Sequence, residues 1–214
     1  MSAVPTDGRE DHWLELAATV LLALAAIGTA WATYQSSSWH GRQAEAQSAS
    51  IAARVESTRE ANVANREGQV DLAIFTQWVD AYAHRETELT DFYRKRFRAE
   101  FEPAFEAWVA TKPLTNPAAP LSPFAMPQYK LEATRLAERK EAEAAAYSQD
   151  VKTYVQRADD YTLAVVVFAI SLFFAALSTR MHTRGSRLTL LAMGYVLFLG
   201  TVAWLATQPV SVGA

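Results

Sequence analysis

The chain has 214 residues, half of them apolar, a formal net charge of −3 and no cysteine. The near-balanced charge argues against a nucleic-acid-binding protein, which carries a concentrated basic excess. Without cysteine there is no disulfide scaffold, thiol nucleophile, iron–sulfur cluster or thiolate zinc site.

After an N-terminal tail, residues 1–12, the first apolar run covers 13–34, WLELAATVLLALAAIGTAWATY. As a helix it rises roughly 33 Å, enough to cross a hydrocarbon core. Glu15 is its only charge and lies one turn from the start. Trp13 at one end, and Trp31, Tyr34 and Trp39 near the other, match the aromatic belt of a membrane interface. A cleaved signal peptide has a shorter apolar core and a basic start, whereas Asp7, Glu10 and Asp11 precede this run.

Residues 35–160 form a charged middle region. From 35 to 101 good helix formers dominate and no proline intervenes, which predicts one long helix of roughly 100 Å. Its second half carries an aromatic stripe through Phe75, Trp78, Tyr82, Phe92, Tyr93, Phe97 and Phe101. Its first half has a thinner seam: Ala44, Ser48, Ile51, Val55, Thr58, Asn62, Asn65, Gln69 and Leu72. A short helix is predicted over 103–111, with Pro103 at its first position. The proline-rich stretch 112–127 is an extended or turning connection. A return helix over 128–160 follows, its stripe running Ala133, Ala137, Ala144, Tyr147, Val151, Tyr154, Ala158 and Tyr161.

With no Gly or Pro between them, the return helix should continue into the second apolar run, 161–179. A basic loop, 180–187, leads to the third run, 188–208, and a tail, 209–214. Arg180, Arg184 and Arg187 with no acid place this loop in the cytoplasm. Three spans then place residues 35–160 outside it. The expected fold is all-α: an integral membrane protein with one N-terminal span, a long helical extramembrane hairpin or stalk, and a C-terminal two-span hairpin.

The return helix is only roughly 50 Å long, so it cannot cover the whole aromatic stripe. Either the long helix folds back near Gly68, or identical chains associate. Self-association is the preferred reading, through Ile51, Val55, Asn62 and Asn65 on the seam, where a buried Asn fixes register. Ala25, Thr29 and Thr33 make a small, partly polar stripe in the first span, suited to close helix packing or to lining a pore.

Chemistry-bearing motifs are sparse. The four histidines stand apart; His84 and Glu88 have metal-ligand spacing but sit in a charged, solvated stretch. The basic cluster 94–98 is offset by Glu100, Glu102 and Glu106. No hydrolase, zinc-protease or nucleotide-binding motif occurs, so neither an enzyme nor a cofactor or metal is expected. Phe92, Tyr93, Phe97, Phe101, Phe105 and Trp108 are either a distal core or a docking surface for a partner.

The layout, with WATYQSSSWHGRQA and QVDLAIFTQWVDAYA, resembles small uncharacterised bacterial three-span membrane proteins of the domain-of-unknown-function type. The resemblance implies an anchored helical region and brings no catalytic or ligand residues. The expectation is a non-enzymatic, membrane-anchored helical scaffold or interaction protein of the bacterial cell envelope, in the inner membrane. The alternative is a subunit of a homo-oligomeric channel. The expected partners are the lipid bilayer, further copies of the chain and an envelope protein, with no nucleic acid.

Overall fold

The computed structural model describes residues 7–211, so parts of both expected tails, 1–6 and 212–214, lie outside the described residues. Among the described residues the chain is all-α, about 80% helical and without strands. The helices are α1 (Asp7–Ala83), α2 (Thr87–Arg94), α3 (Glu102–Ala110), α4 (Glu132–Ser178) and α5 (Arg184–Leu205). Within the proline-rich stretch there is one 3-10 turn, Pro123–Ala125.

The absence of proline lets α1 run for 77 residues, and Gly68 lies inside it. The expected helix over 35–101 is therefore corrected at its far end, and no fold-back occurs at Gly68. α1 stops because Arg85 adopts a left-handed backbone, φ 60°. The Glu86 N–H then reaches back to the Ala81 carbonyl at 2.9 Å, the closing bond of a Schellman cap. An arginine does here what glycine usually does, so the sequence carries no visible punctuation. The return helix does continue into the second apolar run, as one helix, α4.

The chain divides into two compact units. The first comprises Met1–Gln47 and Ser148–Ala214, the second Ser48–Tyr147. The first unit holds three helical segments long and apolar enough to cross a membrane. Many of their facing positions are small: Ala18, Ala25, Ala32, Ala158, Ala164 and Ala175 are buried. Two glycines admit large neighbours. A Cβ on Gly28 would lie 3.0 Å from the Phe168 ring, and one on Gly194 would lie 2.9 Å from Leu21. The Tyr195 hydroxyl donates to the Ala17 carbonyl at 2.9 Å, satisfying its polar tip.

In the second unit, α1 and α4 pair through a seam of small residues. The Ser50 and Ser57 hydroxyls donate to the carbonyls of Ala144 and Ala137, at 3.1 and 3.0 Å, which fixes an antiparallel register. The predicted α4 stripe has Ala133, Ala137 and Ala144 buried in this unit and Ala158 and Tyr161 buried in the first, with Tyr147, Val151 and Tyr154 half-buried. The predicted α1 seam is not buried. All nine of its residues, Ala44 to Leu72, are exposed. The buried line is displaced by two residues to Ser50, Ala53, Ser57, Ala64 and Asp71, which is nearly the opposite helix face.

Candidate functional site

The second unit ends its α1–α4 seam in an aromatic knot. Phe75 and Trp78 on α1 pack against Phe101 and Phe105, and all four are buried. Phe97, Trp108, Phe124 and Tyr129 close over them. The rings meet mostly edge-to-face, with Trp78 and Phe105 centroids 4.8 Å apart, the favourable geometry for aromatic quadrupoles. Most of the aromatic stripe is thus covered by α2, α3 and the proline-rich stretch of its own chain, which supplies Phe124; Tyr82 and Phe92 stay exposed. The Trp108 indole N–H donates to the Pro120 carbonyl at 2.8 Å and ties that stretch down.

The six aromatics read as either a distal core or a docking surface divide between the two. Phe101 and Phe105 are core, at 0% and 1% exposure. Tyr93, Phe97 and Trp108 are half-buried. Only Phe92 is exposed, and the Arg96 guanidinium lies 3.4 Å from its ring centroid. The stripe in the first span is likewise divided. Ala25 is buried within its own chain, Thr29 is half-buried and Thr33 exposed. Both threonine hydroxyls donate to carbonyls of their own helix, those of Ala25 and Thr29. Ile51, Val55, Asn62 and Asn65 are all exposed.

Beside the knot lies a charged cluster that no local sequence pattern announces. Arg98 donates to Asp71 at 3.0 Å and pairs with Glu67 at 2.9 Å and with Glu100. The Tyr129 hydroxyl donates to the same Asp71 oxygen at 3.1 Å. Glu100 accepts the backbone N–H of Glu132, so the cluster links α1, the turn before α3 and the start of α4. Asp71 is buried, and its Oδ1 has no partner. Burial raises its pKa above the ordinary value of 3.8, against the opposing pull of Arg98 and the Tyr129 hydrogen bond. Burial and the adjacent Asp71 push the Tyr129 phenol upward, so it stays protonated as a donor. Burial works against the Arg98 charge, but Asp71, Glu67 and Glu100 outweigh it and raise its pKa. One guanidinium shared by three carboxylates acts as a cross-link.

On the other side of the knot a cleft of about 500 Å³ opens. α1 supplies Trp78, Val79 and Tyr82, and α2 supplies Asp91 and Arg94. α3 supplies Phe105, Trp108 and Val109, and residues 112–115 complete the wall. Trp78 Nε1, in this wall, is a buried donor without an acceptor. His84 lies beyond the end of α1 and contacts Asp80, at 2.9 Å to its carbonyl, not Glu88. Among the described residues no three His, Asp or Glu side chains converge as a metal-binding set.

The first unit has its own polar site at 35–39. Gln35 is fully buried, accepting the Ser211 N–H at 2.8 Å and donating to the Ser211 carbonyl at 3.3 Å. The Ser38 and Ser211 hydroxyls are 2.7 Å apart, and those of Ser36 and Thr162 2.9 Å. Arg42 and Arg157 both lie over the Trp39 ring. The serine triplet is therefore helical; Ser38 and Gln35 hold Ser211, and Ser36 holds Thr162 on α4. No family, curated protein or solved structure matches the chain.

Proposed function

We propose that this chain is a non-enzymatic, membrane-anchored helical binding protein of the bacterial cell envelope. The first unit is the anchor in the inner membrane, residues 35–160 are extracytoplasmic, and the basic loop 180–187 is cytoplasmic. The aromatic end of the second unit is the part that meets a partner.

The observation that supports this is the inverted surface of the first unit. Trp13, Leu16 and Ile27 on α1, Leu163, Val166 and Phe173 on α4, and Val196 and Leu199 on α5 are each between 51% and 70% exposed. All three apolar segments share this pattern, which produces a wetted apolar area unlike that of a water-soluble monomer. A bilayer removes that cost. Carbonate extraction tests the anchor: the chain should stay with the membrane pellet, and release of intact protein overturns the reading. Alkaline phosphatase inserted after Ala118 should be active, and a fluorescent protein there dark. The opposite pair of results reverses the topology.

Identical chains associate along the outward face of α1. Ile51 and Val55 there are 55% and 63% exposed, with Asn62 and Asn65 further along the same line. Single cysteines at Asn62 or Asn65 should give disulfide-linked dimers on mild oxidation in native membranes. Their absence at both sites makes the chain a monomer. The channel alternative is weakened, because Ala25 is packed within its own chain.

A further inference from the structure

The cleft beside the aromatic knot has a volume within the range of small-molecule sites, and its walls are mostly apolar. Of its three charged residues, Arg94 is engaged: it pairs with Glu106 at 3.4 Å and lies over the Phe105 ring. Asp91 and Lys112 are different. Neither makes an ion pair among the described residues, and they are beyond ion-pair reach of each other. The lining therefore offers one exposed, unpaired acid and one exposed, unpaired base beside the exposed Tyr82 ring and the half-buried Trp108.

Lys112 also sits in the left-handed backbone region, φ 53°, just past the end of α3. Glycine or asparagine takes that position at lower cost. Here a long cation occupies it at the lip of the cleft.

We propose that this cleft binds a zwitterion of the aromatic amino-acid class. The ring packs against the exposed Tyr82 and the half-buried Trp108, the ammonium meets Asp91, and the carboxylate meets Lys112. A monoanion would leave Asp91 uncompensated and facing a like charge. A monocation would do the same to Lys112, and a neutral apolar molecule would use neither. The proposal rests on reading the aromatic end of the second unit as the binding part. It does not depend on where the membrane lies.

The test uses the full chain in phosphatidylcholine nanodiscs, with empty discs subtracted, and isothermal titration of three ligands. L-tryptophan carries both charges, N-acetyl-L-tryptophan lacks the cation, and L-tryptophanamide lacks the anion. L-tryptophan should bind saturably, and each analogue roughly tenfold more weakly, the change for losing one charge-assisted contact. Lys112→Asn, which tolerates the left-handed backbone, should erase the preference over the amide and keep the preference over the N-acetyl compound. Asp91→Asn should do the reverse. Equal binding of the three ligands, or no saturable binding of L-tryptophan, overturns the proposal. The wild-type ranking decides even if a variant fails to fold. Failure here leaves the extraction and topology results standing, so the two readings fall separately.

Discussion

The two units share seams of small residues but differ in what they leave exposed and in how they end. In the first, more than half of the buried positions on α1, α4 and α5 are Ala, Gly or Ser, with Trp39, Tyr161 and Phe168 buried among them, while other large apolar side chains such as Ile27, Phe173 and Val196 are exposed. In the second, the largest aromatics lie inside the knot and the charges lie outside or in one Arg-centred cluster. Small residues let helix backbones approach closely where the surroundings are as apolar as the side chains. Large residues go inside where water supplies the driving force. Substitutions should therefore be felt differently in each unit.

The largest effect is expected at the knot. Phe105 is 1% exposed and contacts Phe75, Trp78, Phe97 and Trp108. Phe105→Ala removes most of a ring from a closed core and should destabilise the second unit by about 3–5 kcal/mol. Proteolysis within residues 84–130 of the full chain in nanodiscs would report it. Unchanged resistance would mean that the knot does not hold this unit together.

Two glycines sharpen the comparison. Gly194→Val puts a branched side chain where even a Cβ lies 2.9 Å from Leu21 and 3.4 Å from the Ser171 carbonyl. It should cost about 1–3 kcal/mol by overpacking. Gly68→Ala meets only the Tyr129 hydroxyl, at an ordinary 3.5 Å, inside a continuous helix. It should stabilise by about 0.5–1 kcal/mol, because alanine loses less backbone entropy than glycine. Thermal melting in one detergent ranks the three proteins, and a Gly194→Val chain as stable as wild type would refute close packing in the first unit.

What was legible in the sequence follows from the same physics. Charge-free runs and absent prolines made the three apolar helices and the continuity of α4 readable, because length and composition decide both. The α1 seam was misread because Ile51, Val55 and Leu72 look like core and Ser50, Ala53 and Ser57 do not. Between two long helices the close approach selects small residues, and the larger ones are left outside. Asp71 went unnoticed for the same reason: it lies on the buried line, two residues from the line that periodicity favoured. The break after Ala83 was illegible because Arg85 closes the cap without glycine. Of the six distal aromatics, Tyr93, Phe97, Phe101, Phe105 and Trp108 meet in the knot and Phe92 stays exposed; the proline-rich stretch that packs on them follows no local pattern.

The smallest expected effect is a slope with pH, and it separates burial from pairing at Asp71. Arg98, Tyr129 and Glu67 act on this carboxyl, Glu100 pairs with the same Arg98, and burial is the largest influence on it. The pKa is raised above the 3.8 of a free aspartate, so the folded chain holds the proton more tightly than the unfolded one. The stabilisation is fully present below 3.8 and is lost as pH rises through the folded-state value. Acid should therefore strengthen this contact, the reverse of an ordinary salt-bridged aspartate. Asp71→Asn keeps an acceptor for Arg98 and Tyr129 and removes the titration. Glu67 and Glu100 remain in both proteins, so their contributions largely cancel in the difference. The melting midpoint of wild type minus that of Asp71→Asn should rise over the interval in which pH is lowered from neutral toward 3.8. A difference that falls over that interval would show that the ion pair with Arg98 outweighs burial, and that the cluster stabilises the second unit as a conventional salt bridge.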